Sequence, residues 1–191
     1  MDLRSVLFKN RSYTPIPFLV AMVILARPAV WSVAAGLAVS MAGELLRFLG
    51  VSYAGSETRT TKIGATRLVT NGPFSRVRNP LYLGNILIYL GLSIMANAWL
   101  PWIALVVVVW FVFQYALIVS LEEEFLKQKF GAEYIAYMNR VPRFLPRLAG
   151  AGPAPNSTVT FSPKRGLASE GRTLQALALV VGVILILWYV R

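Results

Sequence analysis

The chain has 191 residues, of which 57% are hydrophobic and 14% charged, and its formal net charge is +11. Soluble domains are about one quarter charged, so this composition points to the lipid bilayer. Cysteine and histidine are both absent, which excludes disulfides, thiolate nucleophiles, imidazole acid–base chemistry and the usual zinc or haem ligand sets.

A spanning helix needs about 20 predominantly apolar residues, with about 17 as the lower limit. The first candidate, PIPFLVAMVILA at 15–26, is short and ends at the turn-forming pair Arg27-Pro28. Basic residues precede it, as in a signal peptide, but no small-residue cleavage site precedes the next span, so it reads as a helix. AVWSVAAGLAVSMAGELLRFLGV at 29–51 is a full span rich in small residues suited to close helix packing. Within it Glu44 and Arg47 stand three residues apart. An isolated charge there would cost about 2.5–3.5 kcal/mol, so the two are expected to pair as a structural salt bridge rather than to contact substrate.

The stretch GPFSRVRNPLYLGN at 72–85 sets two arginines, an Asn-Pro step and a tyrosine at the foot of the next apolar run. Asn79 suits an N-cap and Pro80 a first helical position, with Arg76 and Arg78 as interfacial anchors. The same residues also suit an anion seat. A helix N-terminus offers free N–H groups and a positive dipole end, and Arg78 lies beside it. The residues alone leave both readings open.

Spans at 81–100 and 102–121 are joined by a tight turn around Asn97–Pro101. Three glutamates, Glu122 to Glu124, follow directly. Successive helical residues point about 100° apart, so one or two can turn inward toward Arg78 while another meets water. Phe130, Tyr134 and Tyr137 share one helix face, which reads as packing. Arg140, Arg143 and Arg147 interleave with Pro142 and Pro146, as in an irregular segment lying along lipid headgroups. Residues 149–173 are small, polar and proline-broken and read as a flexible linker to a last span at 174–190.

The expected architecture is therefore an all-α, polytopic membrane bundle of about five transmembrane helices. Residues 1–148 form its core, including the polar segment 122–148. Lys and Arg collect in the N-terminal tail and in the 52–80 and 122–173 segments, while the other side holds only Arg27 and Arg191. By the positive-inside rule the N-terminus and all three basic groups are cytoplasmic. That orientation leaves the Asn10-Arg11-Ser12 and Asn156-Ser157-Thr158 sequons idle. Because the basic residues flank apolar spans, the charge does not indicate nucleic-acid binding.

LVTNGPFSRVRNPLYLG, followed after one helical hairpin by EEEFLKQKFGAEYIAYMNRVPRFLP, resembles the isoprenylcysteine carboxyl methyltransferase family and its phospholipid methyltransferase relatives. The resemblance covers residues 40 to 148. It implies an integral membrane methyltransferase that uses S-adenosyl-L-methionine, releases S-adenosyl-L-homocysteine and has no dinucleotide-binding domain. No strand–GxGxxG–helix unit is present. The acceptor implied is a lipophilic or lipidated substrate drawn from the bilayer, foremost an isoprenylcysteine-like carboxylate and alternatively a phospholipid. By position, the resemblance places Arg78, Asn79, Pro80 and Tyr82 at the methionine end of the cofactor and Leu68 and Val69 along its adenine. Glu122 and Glu123 fall at its ribose or amino group, and Tyr134 and Arg140 in a lid, with Glu122 and Arg140 as the catalytic pair. No metal is implied. Asn79 stands where the family has histidine, and the 174–190 span has no counterpart in the family core. The alternatives are an NADPH-dependent membrane reductase of the sterol-reductase type and a non-enzymatic membrane scaffold.

Overall fold

The computed structural model describes residues 2–55, 64–149 and 159–190. Among them every regular element is helical: α1 (Leu3–Asn10), α2 (Ile16–Ile24), α3 (Val30–Ala54), α4 (Pro80–Ala96), α5 (Trp102–Arg140) and α6 (Pro163–Val190), with a 3-10 turn at Gly72–Ser75. This is the all-α bundle expected from the apolar runs. α3, α5 and α6 are long and apolar enough to cross a membrane, and α4, at 17 residues, is at the lower limit.

The first expected span takes a different form. α2 has nine residues, about 14 Å of helix, too few to cross alone. Pro15 and Pro17 open it, Pro28 follows its end, and the chain turns on either side. The segment still runs the length of α4. Arg11 lies by the cavity at the start of α4, whereas the Arg27 N–H donates to Ala96 O at its far end (2.8 Å) and the Asn97 side chain donates to Arg27 O (2.9 Å).

α3 and α4 pack backbone to backbone. A Cβ on Gly43 would lie 2.6 Å from Gly84 O, and one on Gly91 would lie 2.6 Å from Gly36 O. Such contact lets dispersion forces hold the helices where the lipid offers no hydrophobic drive. The Ser40 hydroxyl adds a hydrogen bond to Ile88 O (3.3 Å).

The α4–α5 turn forms where expected, with Asn97 in the left-handed region (φ 49°, ψ 34°). Across this hairpin an aromatic ladder, Tyr89–Phe111 (4.5 Å), Phe111–Tyr115 (5.6 Å) and Tyr115–Tyr82 (4.6 Å), leads up to the polar foot of α4. No Gly or Pro interrupts α5 between Trp102 and Phe130. The helix therefore continues past the apolar run and carries the glutamates with it, breaking only at Gly131 (φ 51°, ψ −125°).

The expected linker is shorter than its composition suggests. Helix α6 begins at Pro163, so residues 163–173 are helical; of the remainder, 150–158 lie outside the described residues, as do Arg59 and Lys62 of the 52–80 connection and the second sequon. Pro163 takes the first helical position, where its missing N–H costs nothing, and the Ser162 N–H donates to Ser52 O (3.0 Å).

Candidate functional site

A cavity of about 650 Å³ opens where the C-terminal ends of α3 and of the α5 span meet the N-terminal ends of α4 and α6. Two walls form it.

The first wall joins the foot of α4 to the chain after Gly131. The Arg78 N–H donates to Pro142 O (2.9 Å), and the Arg147 N–H donates to Arg76 O (3.0 Å). Arg78 Nη1 reaches Met138 O (3.1 Å), and the Tyr137 hydroxyl donates to Phe74 O (2.7 Å). Tyr134, Tyr137 and Val141 form a small buried cluster against Leu68, Leu126 and Phe130. The aromatic face thus packs as expected, yet Tyr134 and Tyr137 also line the cavity.

The glutamate triplet divides by helical angle. Glu122 accepts a hydrogen bond from the Tyr82 hydroxyl (2.7 Å). Buried Glu123 lies between two cations, Arg78 (3.0 Å) and Arg143. Glu124 points outward and pairs with Arg4 of α1 (3.1 Å). Glu122, Glu123, Leu68, Val69, Arg78, Asn79, Pro80, Tyr82 and Tyr134 are all at the cavity.

Two residues behave differently from the expectation. Asn79 occupies the N-cap position of α4 but makes no side-chain cap hydrogen bond. Its amide instead donates to Arg143 O (3.1 Å), tying the helix foot to the 142–147 segment. Arg140 is not at the cavity: its Nε reaches back one helical turn to Ala136 O (3.3 Å). The cation that this segment brings to Glu123 is Arg143, three residues on, past the helix end at Arg140, where the chain is free to turn back toward Glu123.

The second wall is deeper and comes from α3, α4, α5 and α6. It presents Arg47, Asn85, Tyr89, Tyr115, Thr173 and Ala176, with Arg172 at its exposed edge. Arg47 is within 3.8 Å of Glu44, as the i, i+3 spacing predicts. Its closer partners lie far away in sequence: Arg47 Nη2 contacts both oxygens of Glu170 on α6 (2.8 and 2.9 Å), and Nη1 donates to Asn85 Oδ1. Arg47, expected as the salt-bridge partner of Glu44, therefore also faces the cavity, and the last helix is a wall of it. Neither was legible, because Arg47 and Glu170 are 123 residues apart and no local period links them.

The arrangement defines a class: a helical membrane protein whose polar cavity holds cations and carboxylates at the ends of its spans. The phospholipid methyltransferase family model matches residues 31–133, and the chain belongs to that family. Protein-S-isoprenylcysteine O-methyltransferase B of Arabidopsis thaliana is 37% identical over 115 residues, covering 58% of this chain and 57% of the relative. Protein-S-isoprenylcysteine O-methyltransferase of Rattus norvegicus is 32% identical over 124 residues, covering 63% and 43%. Cobalt-zinc-cadmium resistance protein CzcN of Cupriavidus metallidurans is 38% identical over 82 residues, covering 43% and 37%. The chain thus spans roughly half the length of the curated relatives it matches. No solved structure matches it significantly.

Proposed function

We propose that the chain is an S-adenosyl-L-methionine-dependent membrane methyltransferase acting on a lipophilic acceptor, with an isoprenylcysteine-like carboxylate as the first candidate. Supporting it are the family, the relatives' names and one feature of the cavity. Arg78 Nε is buried and has no hydrogen-bond partner among the described residues, although Nη1 and Nη2 are both engaged. A buried donor left unpaired costs about 1–3 kcal/mol, which a ligand carboxylate would recover. Glu122 and Glu123 on the facing helix suit the cofactor's ammonium and sulfonium charges. Leu68 and Val69 offer an apolar face to adenine, and Tyr82, Pro80 and Asn79 complete the seat. Tyr134 closes it from the 131–147 segment, with Arg143 rather than Arg140 as the cation of that lid.

Bound there, the cofactor supplies a methyl group on a cationic sulfur, open to displacement by an oxygen or nitrogen nucleophile. The protein's part is to hold both reactants in line and to exclude water, and alignment can supply about 7–11 kcal/mol of barrier reduction. A carboxylate acceptor is ionised at neutral pH, so the absence of histidine is no obstacle. A phospholipid amine, the second reading, must shed a proton, and the cavity carboxylate Glu122 would take it. The clustering of Lys and Arg supports a cytoplasmic N-terminus and cavity mouth.

Calorimetric binding of S-adenosyl-L-homocysteine to the purified protein tests this reading. Saturable binding is expected. Glu122→Ala and Arg78→Ala should each weaken it about tenfold or more, the scale of one charge-assisted hydrogen bond. Arg165→Ala, whose guanidinium reaches Thr160 O (2.8 Å) and is not among the cavity residues, should bind like the parent. No binding by folded, monodisperse protein overturns the reading.

A further inference from the structure

Cavity charge and the placement of α6 point to a second occupant. Among the described residues lining the cavity are five arginines and two glutamates. S-adenosyl-L-methionine carries a sulfonium, an ammonium and a carboxylate, hence net positive charge, so the excess of arginines is opposite to what the cofactor needs. Two of the five are neutralised in place: Arg78 by Glu123, and Arg47 by Glu170 with Glu44 beside it. Arg172 has no acidic partner among the described residues and stands exposed at the edge of the deep wall. Its neighbours Thr173 and Ala176 present the same face of α6 to the cavity.

The ion pair fixes that face. Glu170 is fully buried and holds Arg47 from α3, with Thr173 3.5 Å from the same guanidinium nitrogen. One turn of α6 is thereby locked against α3 and α4, and its rotation sets Arg172 at the rim. A buried pair of this kind is a strong positional constraint whatever its net contribution to stability. The wall beyond it, Asn85, Tyr89, Tyr115 and Ala176, passes from polar to aromatic to small. It suits an amphiphile whose charged end stays at the rim while its chain enters the bundle.

We propose that α6, which lies outside the family match at residues 31–133, forms the acceptor side of the cavity, and that Arg172 is a specificity-determining residue reading an anionic headgroup on the acceptor. This rests on the methyltransferase reading for the identity of the occupant as acceptor, but anion recognition by Arg172 is testable without the cofactor.

The experiment measures binding of S-farnesylcysteine and of its carboxamide, which lacks the negative charge, to the full chain in lipid nanodiscs. Both probes are compared at equal mole fraction in the bilayer, with S-adenosyl-L-homocysteine binding measured alongside. The wild type should prefer the carboxylate by about tenfold, the scale of one charge-assisted contact. Arg172→Gln should abolish that preference without changing carboxamide or S-adenosyl-L-homocysteine affinity, and Arg172→Lys should keep most of it. If the wild type does not distinguish the two probes, or if Arg172→Gln retains the preference, the assignment of Arg172 is overturned. A wild type that prefers the carboxylate but does not bind S-adenosyl-L-homocysteine overturns the methyltransferase reading alone.

Discussion

The two walls of the cavity are built on different principles. The wall at the foot of α4 is stitched by backbone hydrogen bonds, Arg78 N–H to Pro142 O and Arg147 N–H to Arg76 O, with side chains filling in around them. The α6 wall hangs on side-chain charge, Glu170 on Arg47, with Asn85 and Thr173 beside it. Backbone stitching tolerates side-chain change, since the N–H and C=O groups remain. A wall anchored by one buried ion pair fails when either partner is removed.

The largest expected effect follows from that contrast. Glu170→Ala leaves Arg47 in a nearly dry site with Glu44, at 3.8 Å, as its remaining counter-ion among the described residues. Breaking a buried pair from one side costs about 3–5 kcal/mol, so thermal unfolding in detergent should show a clear loss of stability. Replacing both partners, Arg47→Met with Glu170→Met, should recover much of it, because the uncompensated charge is gone. If Glu170→Ala unfolds like the parent, the α6 wall is not held by this pair.

The same contrast explains what was legible. Local signals reported the foot of α4 well: Pro80 opens the helix, and the Glu122–Glu124 triplet divides between inward and outward faces as the helical angle requires. Asn79 and Arg140 show where such signals end. Asn79 fits the N-cap position yet donates to Arg143 O, and the guanidinium that reaches Glu123 from beyond Gly131 is that of Arg143, not Arg140. The short α2 and the early start of α6 follow from the prolines at 15, 17 and 163, which apolar length and composition do not register. The α6 wall gave no signal, since an ion pair across 123 residues leaves no period.

A smaller effect separates the side chain of Asn79 from its backbone role. Asn79→Ala removes one hydrogen bond, to Arg143 O, and should cost about 0.5–1.5 kcal/mol of stability. Asn79→His keeps an N–H donor and should lie closer to the parent in both stability and S-adenosyl-L-homocysteine affinity. Equal losses in the two variants, read by thermal unfolding, would mean that the site requires the amide rather than any donor.

The smallest effect lies outside both walls, where α1 meets Glu124 through Arg4 (3.1 Å). Arg4 also donates to Asp2 through its side chain and backbone (2.9 and 3.0 Å), and these bonds hold the exposed Asp2 carboxyl below its ordinary value of 3.8. A carboxyl lowered by folding stabilises the folded form above its unfolded pKa, and that contribution is lost as pH falls through the folded value. Titration of isotope-labelled Asp2 should therefore show a midpoint below 3.8, moving back toward that value in Arg4→Ala, which keeps only the backbone bond. Water screens this exposed contact, so releasing it should leave the cavity's ligand affinity unchanged. If Arg4→Ala instead weakened S-adenosyl-L-homocysteine binding, the outward-facing member of the glutamate triplet would have to act on the site through α5, and the division between its inner and outer faces would fail.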